Sequence, residues 1–488
     1  MIFKPIFLFV LLTLLFSCSE DDSIEENIFT GDIEISSQAE LDAFGKNNFT
    51  KVNGRFEILP PNTGDWQSDI TNLNALKSIQ FIKGNFIIRG SLITSLKGLN
   101  NLSAIDGNFE IYGARELKDL NELSNLKSVS QDVLIYNNDL LENLNGLSKL
   151  TSIKNLMIFN NELIEDFDWL KKIRIEESIT ITGLPLITSI EGISQVTING
   201  SLELTSNKAL VDLGGFNNLT TVRGNLSIWG NDALTNLNGL GNLKSIGYDL
   251  EIGGNDGLIS IEEFAKLSSI GGNLLITGNH AIENLDGLEG VNSVKGITIS
   301  VNSRLEDLNG LRNMQFERLQ IEKSQGIITL EGINSNSKTI KNIEIHGNNF
   351  LVNVDALSGI TSVEEDLIIS DNRSMSSIDG LKNISSVGVN LSIFDNDLLS
   401  SLQGLKNLNT VGEEINIYRN RSLSNIDGLG GLTTVGSKIY LGYNESLTNF
   451  CGLQPLFKDY GFTGSYVVAD NAYNPTQQEV EDGNCQQN

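Results

Sequence analysis

Residues 224–247 read GNLSIWGNDALTNLNGLGNLKSIG, and residues 248–271 read YDLEIGGNDGLISIEEFAKLSSIG. Laid one above the other, Leu226-Ser-Ile228 falls on Leu250-Glu-Ile252, Asn231 on Asn255, and Ile246-Gly247 on Ile270-Gly271. The same frame continues at Leu274-Leu-Ile276 and Ile297-Thr-Ile299, and it runs back to Phe56 and forward to Ile439. About seventeen units of 22–24 residues result, with one longer step that carries the insert Pro60–Trp66. In L-x-I the apolar residues alternate with outward ones, the period of a half-buried strand. One such unit cannot bury its own apolar side, but a stack of them buries it continuously. The sequence therefore predicts a mainly β, single right-handed β-helical, leucine-rich-repeat-like solenoid. Its seventeen strands, about 4.8 Å apart, make a rod of roughly 80 Å.

An Asn stands five residues after most strand starts. It recurs at Asn138, Asn161, Asn207, Asn231, Asn255, Asn279, Asn302, Asn348, Asn372, Asn396, Asn420 and Asn444. Strand parity points this side chain inward, where an amide must be hydrogen-bonded. The expected result is a structural ladder, each rung bonding to the turn backbones of its neighbours. A second recurrent residue is Gly, as at Gly98, Gly239 and Gly428, expected to supply a left-handed turn or a close backbone approach.

The solenoid needs ends. Ser37-Gln-Ala-Glu40 is a capping-box pattern with Leu41 and Phe44 on one side, predicting a short helix over 37–45 as an N-terminal lid. At the other end Tyr466–Val468 reads as a last strand, Asn471 repeats the ladder position, and a short helix follows Thr476. Cys451 and Cys485 both fall in this last segment, and in an exported chain they are expected to pair.

The first residues carry a different message. MIFKPIFLFVLLTLLFS has one Lys and then an apolar run from Ile6 to Phe16, the length of a secretory h-region and too short to span a bilayer. Leu15-Phe16-Ser17-Cys18 resembles the lipobox of bacterial lipoproteins, which implies diacylation of Cys18 after cleavage. Ser19-Glu-Asp-Asp22 resembles the surface-export signal of Bacteroidetes-type lipoproteins. The expected organisation is a signal peptide over 1–17 and an acidic flexible tether over 18–35. An N-terminal cap over 36–55, the repeat solenoid over 56–450 and a disulfide-closed cap over 451–488 follow. The protein is expected to be exported and held by lipid on the bacterial outer membrane, facing the cell surface.

The unit itself, Gly224 to Gly247, resembles the receptor L-domain branch of leucine-rich-repeat proteins. That branch includes the ligand-binding domains of insulin- and epidermal-growth-factor-type receptors and many bacterial surface lipoproteins. The resemblance spans about residues 36–475 and implies a rather straight solenoid used in extracellular recognition. The cysteine-rich modules, kinase and transmembrane helix of those receptors have no counterpart here, so receptor signalling is not implied.

Composition narrows the function further. Lys plus Arg is 34 against 61 for Asp plus Glu, a net charge of −27. Phosphate would be repelled, so no nucleic-acid partner is expected. No nucleophile elbow, P-loop, dinucleotide fingerprint or zinc motif is present, so neither enzyme nor cofactor nor metal is expected. Carboxylate pairs such as Glu364-Glu365 read as solvated turn residues, and His280 and His346 stand in separate units without partners in register. The outward fourth strand position carries Tyr112, Tyr136 and Phe159 in succession, then Trp229, and later Phe394 and Tyr418. The outward second position is partly acidic, at Glu110, Glu203, Glu251 and Glu344. Aromatics on a rigid sheet serve a protein or glycan partner, and they also stabilise the sheet by stacking on one another. The functional expectation is a surface recognition or adhesion module. The alternatives are an envelope spacer without a ligand or, less favoured, a β-helical carbohydrate-active enzyme.

Overall fold

A computed structural model describes residues 27–60, 68–193, 198–333, 337–460 and 462–487. The signal peptide, Cys18, the acidic cluster and most of the Pro60–Trp66 insert lie outside the described residues. Nineteen parallel strands form one continuous sheet from Ile33–Ile35 to Ser465–Ala469. Each pairs in register with the next coil, Leu226 with Leu250 and Leu250 with Leu274. The chain is a mainly β, leucine-rich-repeat-like solenoid.

Each coil is built the same way. The first and third strand residues, such as Leu250 and Ile252, are fully buried. A left-handed bend and the Asn rung follow, and then two core leucines such as Leu234 and Leu237. The next corner is a 3-10 turn in many coils, as at Asn309–Leu311 and Asp427–Leu429. A two-residue strand such as Ser245–Ile246 then makes a second, narrow ladder before the chain returns to the main sheet. Burying one Leu completely is worth roughly 2 kcal/mol, and every coil repeats the gain several times. The recurrent Gly has both predicted uses. Gly239 has φ +111°, whereas a Cβ on Gly428 would meet the Leu402 carbonyl of the preceding coil.

The N-terminal end differs from expectation in two ways. Ile28–Thr30 and Ile33–Ile35 are strands, paired to Lys51–Asn53 and Phe56–Ile58. The repeat thus begins inside the segment assigned to the tether. Its period is hidden there because Ile33-Glu-Ile35 is followed by a helix instead of the Asn turn. That helix, α1 (Gln38–Gly45), is capped by Ser37. The helix predicted over 37–45 is present, but it lies on the flank of the first coil, between two strands and against the Asn74–Leu76 turn, instead of forming a lid across the end. The core there is aromatic instead: Phe29, Phe44, Phe56, Phe86 and Phe109 follow one another at ring separations of 5.3–6.0 Å.

The C-terminal end follows the sequence reading more closely. Ser465–Ala469 is the last strand, and α2 (Gln454–Lys458) packs against α3 (Gln477–Glu481). Thr476 and Glu479 form the capping box of α3. Asn449 and Gln486 make an antiparallel bridge, and Phe450 donates to the Cys485 carbonyl. The Cys451–Cys485 disulfide closes this fold-back across 34 residues, worth about 3–4 kcal/mol by chain entropy.

Candidate functional site

The twelve ladder asparagines are all fully buried. Asn255 shows the pattern. Its Nδ2 donates to the Ile228 carbonyl at 2.9 Å, and its Oδ1 accepts from the Asn231 amide at 2.9 Å. Its own amide donates to Asn279 Oδ1 at 3.1 Å. Ser324 replaces Asn in one coil and still accepts from the Asn302 amide. Asn471 receives the Asn444 amide and is itself capped by Asn474. Every polar atom of the row is consumed by the turns, so the ladder presents nothing to a ligand.

The residue before each rung holds a feature the sequence reading missed. It lies in the left-handed region in coil after coil, as Gly113, Asn137, Asn160, Gly230, Val301, Asp371, Asp395, Arg419 and Tyr443. The bend turns the chain off the sheet and forms a rim beside the fourth strand position. Its signal is visible in retrospect as an excess of Gly, Asn and Asp at that position, the residues that tolerate positive φ.

On this rim the structure brings Tyr112, Tyr136 and Phe159 together. Parallel register sets them side by side, and the rings stack at 4.5 Å with interplanar angles of 19° and 24°. The Tyr136 hydroxyl donates to Glu110 Oε1 at 2.8 Å, and Arg89 Nε donates to the same oxygen at 2.9 Å. Glu110 was expected to face solvent from the second column, but it is only 7% exposed, under the Arg89 and Tyr136 side chains. Burial, and then the bond to Glu110, pushes the Tyr136 hydroxyl up to about 12. A groove of about 620 Å³ runs along the stack, lined also by Leu59, Arg115, Asp139 and Glu162.

Phe394 and Tyr418 make a second stack, 4.6 Å apart and 5° from parallel, with Tyr440 tilted beside it at 5.8 Å. The groove there is about 450 Å³ and is lined almost wholly by charge. Arg419 pairs with Asp395 at 3.9 Å, and Arg421 with Asp397 at 3.7 Å and Glu445 at 3.5 Å. Burial raises the Asp395 carboxyl, partly opposed by Arg419. Trp229 stands alone between the two stacks, with its six-membered ring over Gly253 of the next coil.

Other sequence candidates separate in space. His280 and His346 do have partners in register: the Nδ1 atoms lie 2.9 Å from Ser303 and Ser370 of the following coils. His280 Nε2 also lies 3.9 Å from Asp256. His280 is exposed and His346 half-buried, and neither lines either of the grooves described above. Glu365 is not merely solvated, because Arg318, two coils away, grips it with two bonds of 2.7 Å. Among the described residues no group of His, Cys, Asp and Glu is arranged to hold a metal ion. Among them, too, no helix is long and apolar enough to cross a membrane.

No protein-family profile matches the chain, and no curated protein is similar to it. Among solved structures, one titled "Crystal structure of TLR13-ssRNA13 complex" aligns over 86% of this chain and 85% of that one. The identity is 13% and the TM-score 0.22, too loose a superposition to carry an argument. The class of the molecule is set by its own coils, a leucine-rich-repeat-like solenoid with an aromatic rim.

Proposed function

We propose that this chain is an exported recognition protein, anchored through a lipid on Cys18 and displayed on the bacterial outer membrane. It meets a surface partner through the rim of the solenoid. The anchor rests on the h-region and lipobox resemblance, and the recognition role on the resemblance to receptor L domains. The observation that carries the binding reading is the groove beside Tyr112, Tyr136 and Phe159, where aromatic edges, two arginines and acidic side chains adjoin on a rigid sheet. Tyr136 is covered on both faces and each outer ring on one, so the stack offers mainly ring edges. That favours the side chains of a protein partner here over the flat face of a sugar. The competing reading, a spacer without a ligand, is supported by the same stacking, which stabilises adjacent strands.

Screening the purified full-length chain against surface proteins and glycans tests the role. Tyr136→Ala is expected to weaken a genuine interaction at this groove by about tenfold or more, in line with an interface hot spot. Interactions that all survive that substitution would remove the groove from the proposal. In cells, Cys18→Ser should move the protein out of the membrane fraction, and its retention there would count against the lipid anchor.

A further inference from the structure

Among the described residues of the outer sheet face, Trp229 is the large aromatic side chain that stacks on no other ring. It is 39% exposed. The cause lies in the next coil, where Gly253 pairs with Trp229 in register. A Cβ on Gly253 would lie 2.2–2.7 Å from Cζ3, Cε3 and Cη2 of the indole, so the ring occupies the place a side chain would take. The indole nitrogen lies near Gly254, beyond which Gly278 again adds no side chain. The indole thus rests on a glycine floor, and the exposed part of the ring lies away from it. The neighbouring outward residues are mostly polar or short: Thr205 in the coil before, Ser227 and Glu251 in the second column, and Thr277 beyond, with Leu275 next to Glu251 as the apolar exception. Glu203 adds a further carboxylate and no Lys or Arg stands among them.

We infer that Trp229 on its Gly253–Gly254 floor is a stacking platform for a pyranose ring of a neutral saccharide. It is a site separate from the tyrosine groove and independent of it. A sugar ring presents a C–H face that packs on an aromatic face, and hydroxyls around its edge. Thr205, Ser227, Thr277 and the carboxylates of Glu203 and Glu251 supply donors and acceptors at that edge. Local charge excludes the obvious alternatives. An anionic polysaccharide or a nucleic acid would face carboxylates without a compensating cation. A protein hot spot is a cluster of apolar anchors, whereas this indole has a mainly polar and glycine surround, with Leu275 its single apolar neighbour in the second column. In the Tyr112–Tyr136–Phe159 stack the middle ring is covered on both faces, and the outer rings face Arg89 and Thr182 in register instead of a glycine floor.

The test is a titration of the purified full-length chain with neutral hexasaccharides of glucose, mannose and N-acetylglucosamine. Polygalacturonate serves as the anionic control, and indole fluorescence and calorimetry provide the readouts. At least one neutral hexasaccharide should bind saturably, with no response to polygalacturonate. Trp229→Ala should reduce affinity about tenfold or more, the scale of losing one aromatic stacking contact. Gly253→Ala keeps an ordinary strand backbone and lifts the ring, so it should weaken binding several-fold while the melting curve stays unchanged. Trp229→Tyr should retain part of the affinity, which separates stacking from a folding defect. Tyr136→Ala should leave saccharide binding intact. Absence of binding to all three neutral probes, or binding indifferent to Trp229→Ala, would overturn the inference. Loss on Tyr136→Ala alone would also overturn it, by moving the sugar to the groove. A groove variant that loses a protein partner and keeps the saccharide would separate the two sites.

Discussion

Tyr112, Tyr136 and Phe159 near one end of the sheet, and Phe394, Tyr418 and Tyr440 near the other, arise from the same repeat and stack at similar distances. Their surroundings differ. At the first rim the left-handed positions are Gly90, Gly113, Asn137 and Asn160; at the second they are Asp371, Asp395, Arg419 and Tyr443. Gly and Asn adopt that bend at little cost and leave the groove open. Asp shares that tolerance, whereas Arg and Tyr adopt the bend under strain, and together they line the groove with a lattice of opposite charges. The ladder beneath differs as well. Under the second rim it runs without a break from Asn348 through Asn471. Under the first, Ser91 has a buried hydroxyl without a partner, Ala114 and Leu184 stand in the Asn column, and only Asn138 and Asn161 are rungs. The repeat supplies an aromatic stack at either end. The bend residues and the charges decide whether that stack faces a groove a partner can enter or one filled by its own ion pairs.

The ladder is the strongest way to break this contrast. Asn420→Ala removes the acceptor of the Asn396 amide and the donor to the Ile393 carbonyl, both inside an unbroken run. Two stranded buried groups cost about 2–4 kcal/mol, and polarisation along a continuous chain of bonds adds to the loss. Asn161→Ala strands the Asn138 amide and the Ile135 carbonyl, but next to an interruption that the chain already carries at Leu184. The same two groups cost about 2–4 kcal/mol there too, without the added loss from polarisation along an unbroken chain, so Asn161→Ala is expected to be the less damaging change. Hydrogen exchange across the neighbouring coils reads both. Equal loss of protection at the two ends would mean that each rung acts alone and that the ladder does not distinguish the rims.

Tyr136 sharpens the chemical side of the contrast. Its hydroxyl ionises in the unfolded chain near the ordinary tyrosine value of 10 and in the folded protein at about 12. The folded value is the higher one, so its contribution to stability is complete below pH 10. It declines as pH rises between 10 and 12. For a partly exposed group the contribution is about 1 kcal/mol after solvent screening. Tyr418 is also raised, by burial and then by Asp395, but no hydrogen bond to a carboxylate contributes to its shift. Melting curves from pH 8 to 12 should therefore show a steeper alkaline decline for the parent than for Tyr136→Phe. Tyr418→Phe should alter that slope less. An alkaline decline that Tyr136→Phe leaves unchanged would detach Tyr136 from the Glu110 network.

Much of this was legible in the sequence because the repeat puts the same physical demand on the same position many times. Leu226, Leu250 and Leu274 all answer one requirement, burial under a strand, and Asn231, Asn255 and Asn279 another. Single events were harder to read. The first coil was hidden because α1 takes the place of the usual Asn turn after Ile33–Ile35. Glu110 looked exposed by parity, and its burial depends on Arg89 and Tyr136 one coil to either side, contacts that no single unit contains. The partners of His280 and Arg318 likewise lie one and two coils away. The left-handed column escaped notice for another reason: its residue type varies from Gly to Tyr while its backbone conformation does not.

That column supplies the smallest expected effect and the cleanest one. Val301 sits in it with φ +59°, between Gly278 and Lys323 in the adjacent coils. A β-branched side chain in the left-handed region costs roughly 1–2 kcal/mol. Its amide bond to the Glu322 carbonyl at 2.9 Å is one that any residue would keep. Asn, already used at this bend at positions 137 and 160, adopts the conformation without adding unfolded-state freedom as Gly would. Val301→Asn should therefore raise stability by about 1 kcal/mol. Arg419→Asn relieves a lesser strain and also gives up the ion pair with Asp395 and the contacts with the Tyr418 and Tyr443 rings, so its net change should be near zero. Thermal melting of the two variants side by side tests whether the second rim holds its charged lattice at the expense of backbone strain. A stabilised Arg419→Asn would mean that the lattice contributes nothing there. An unchanged Val301→Asn would mean that the bend is not strained at all.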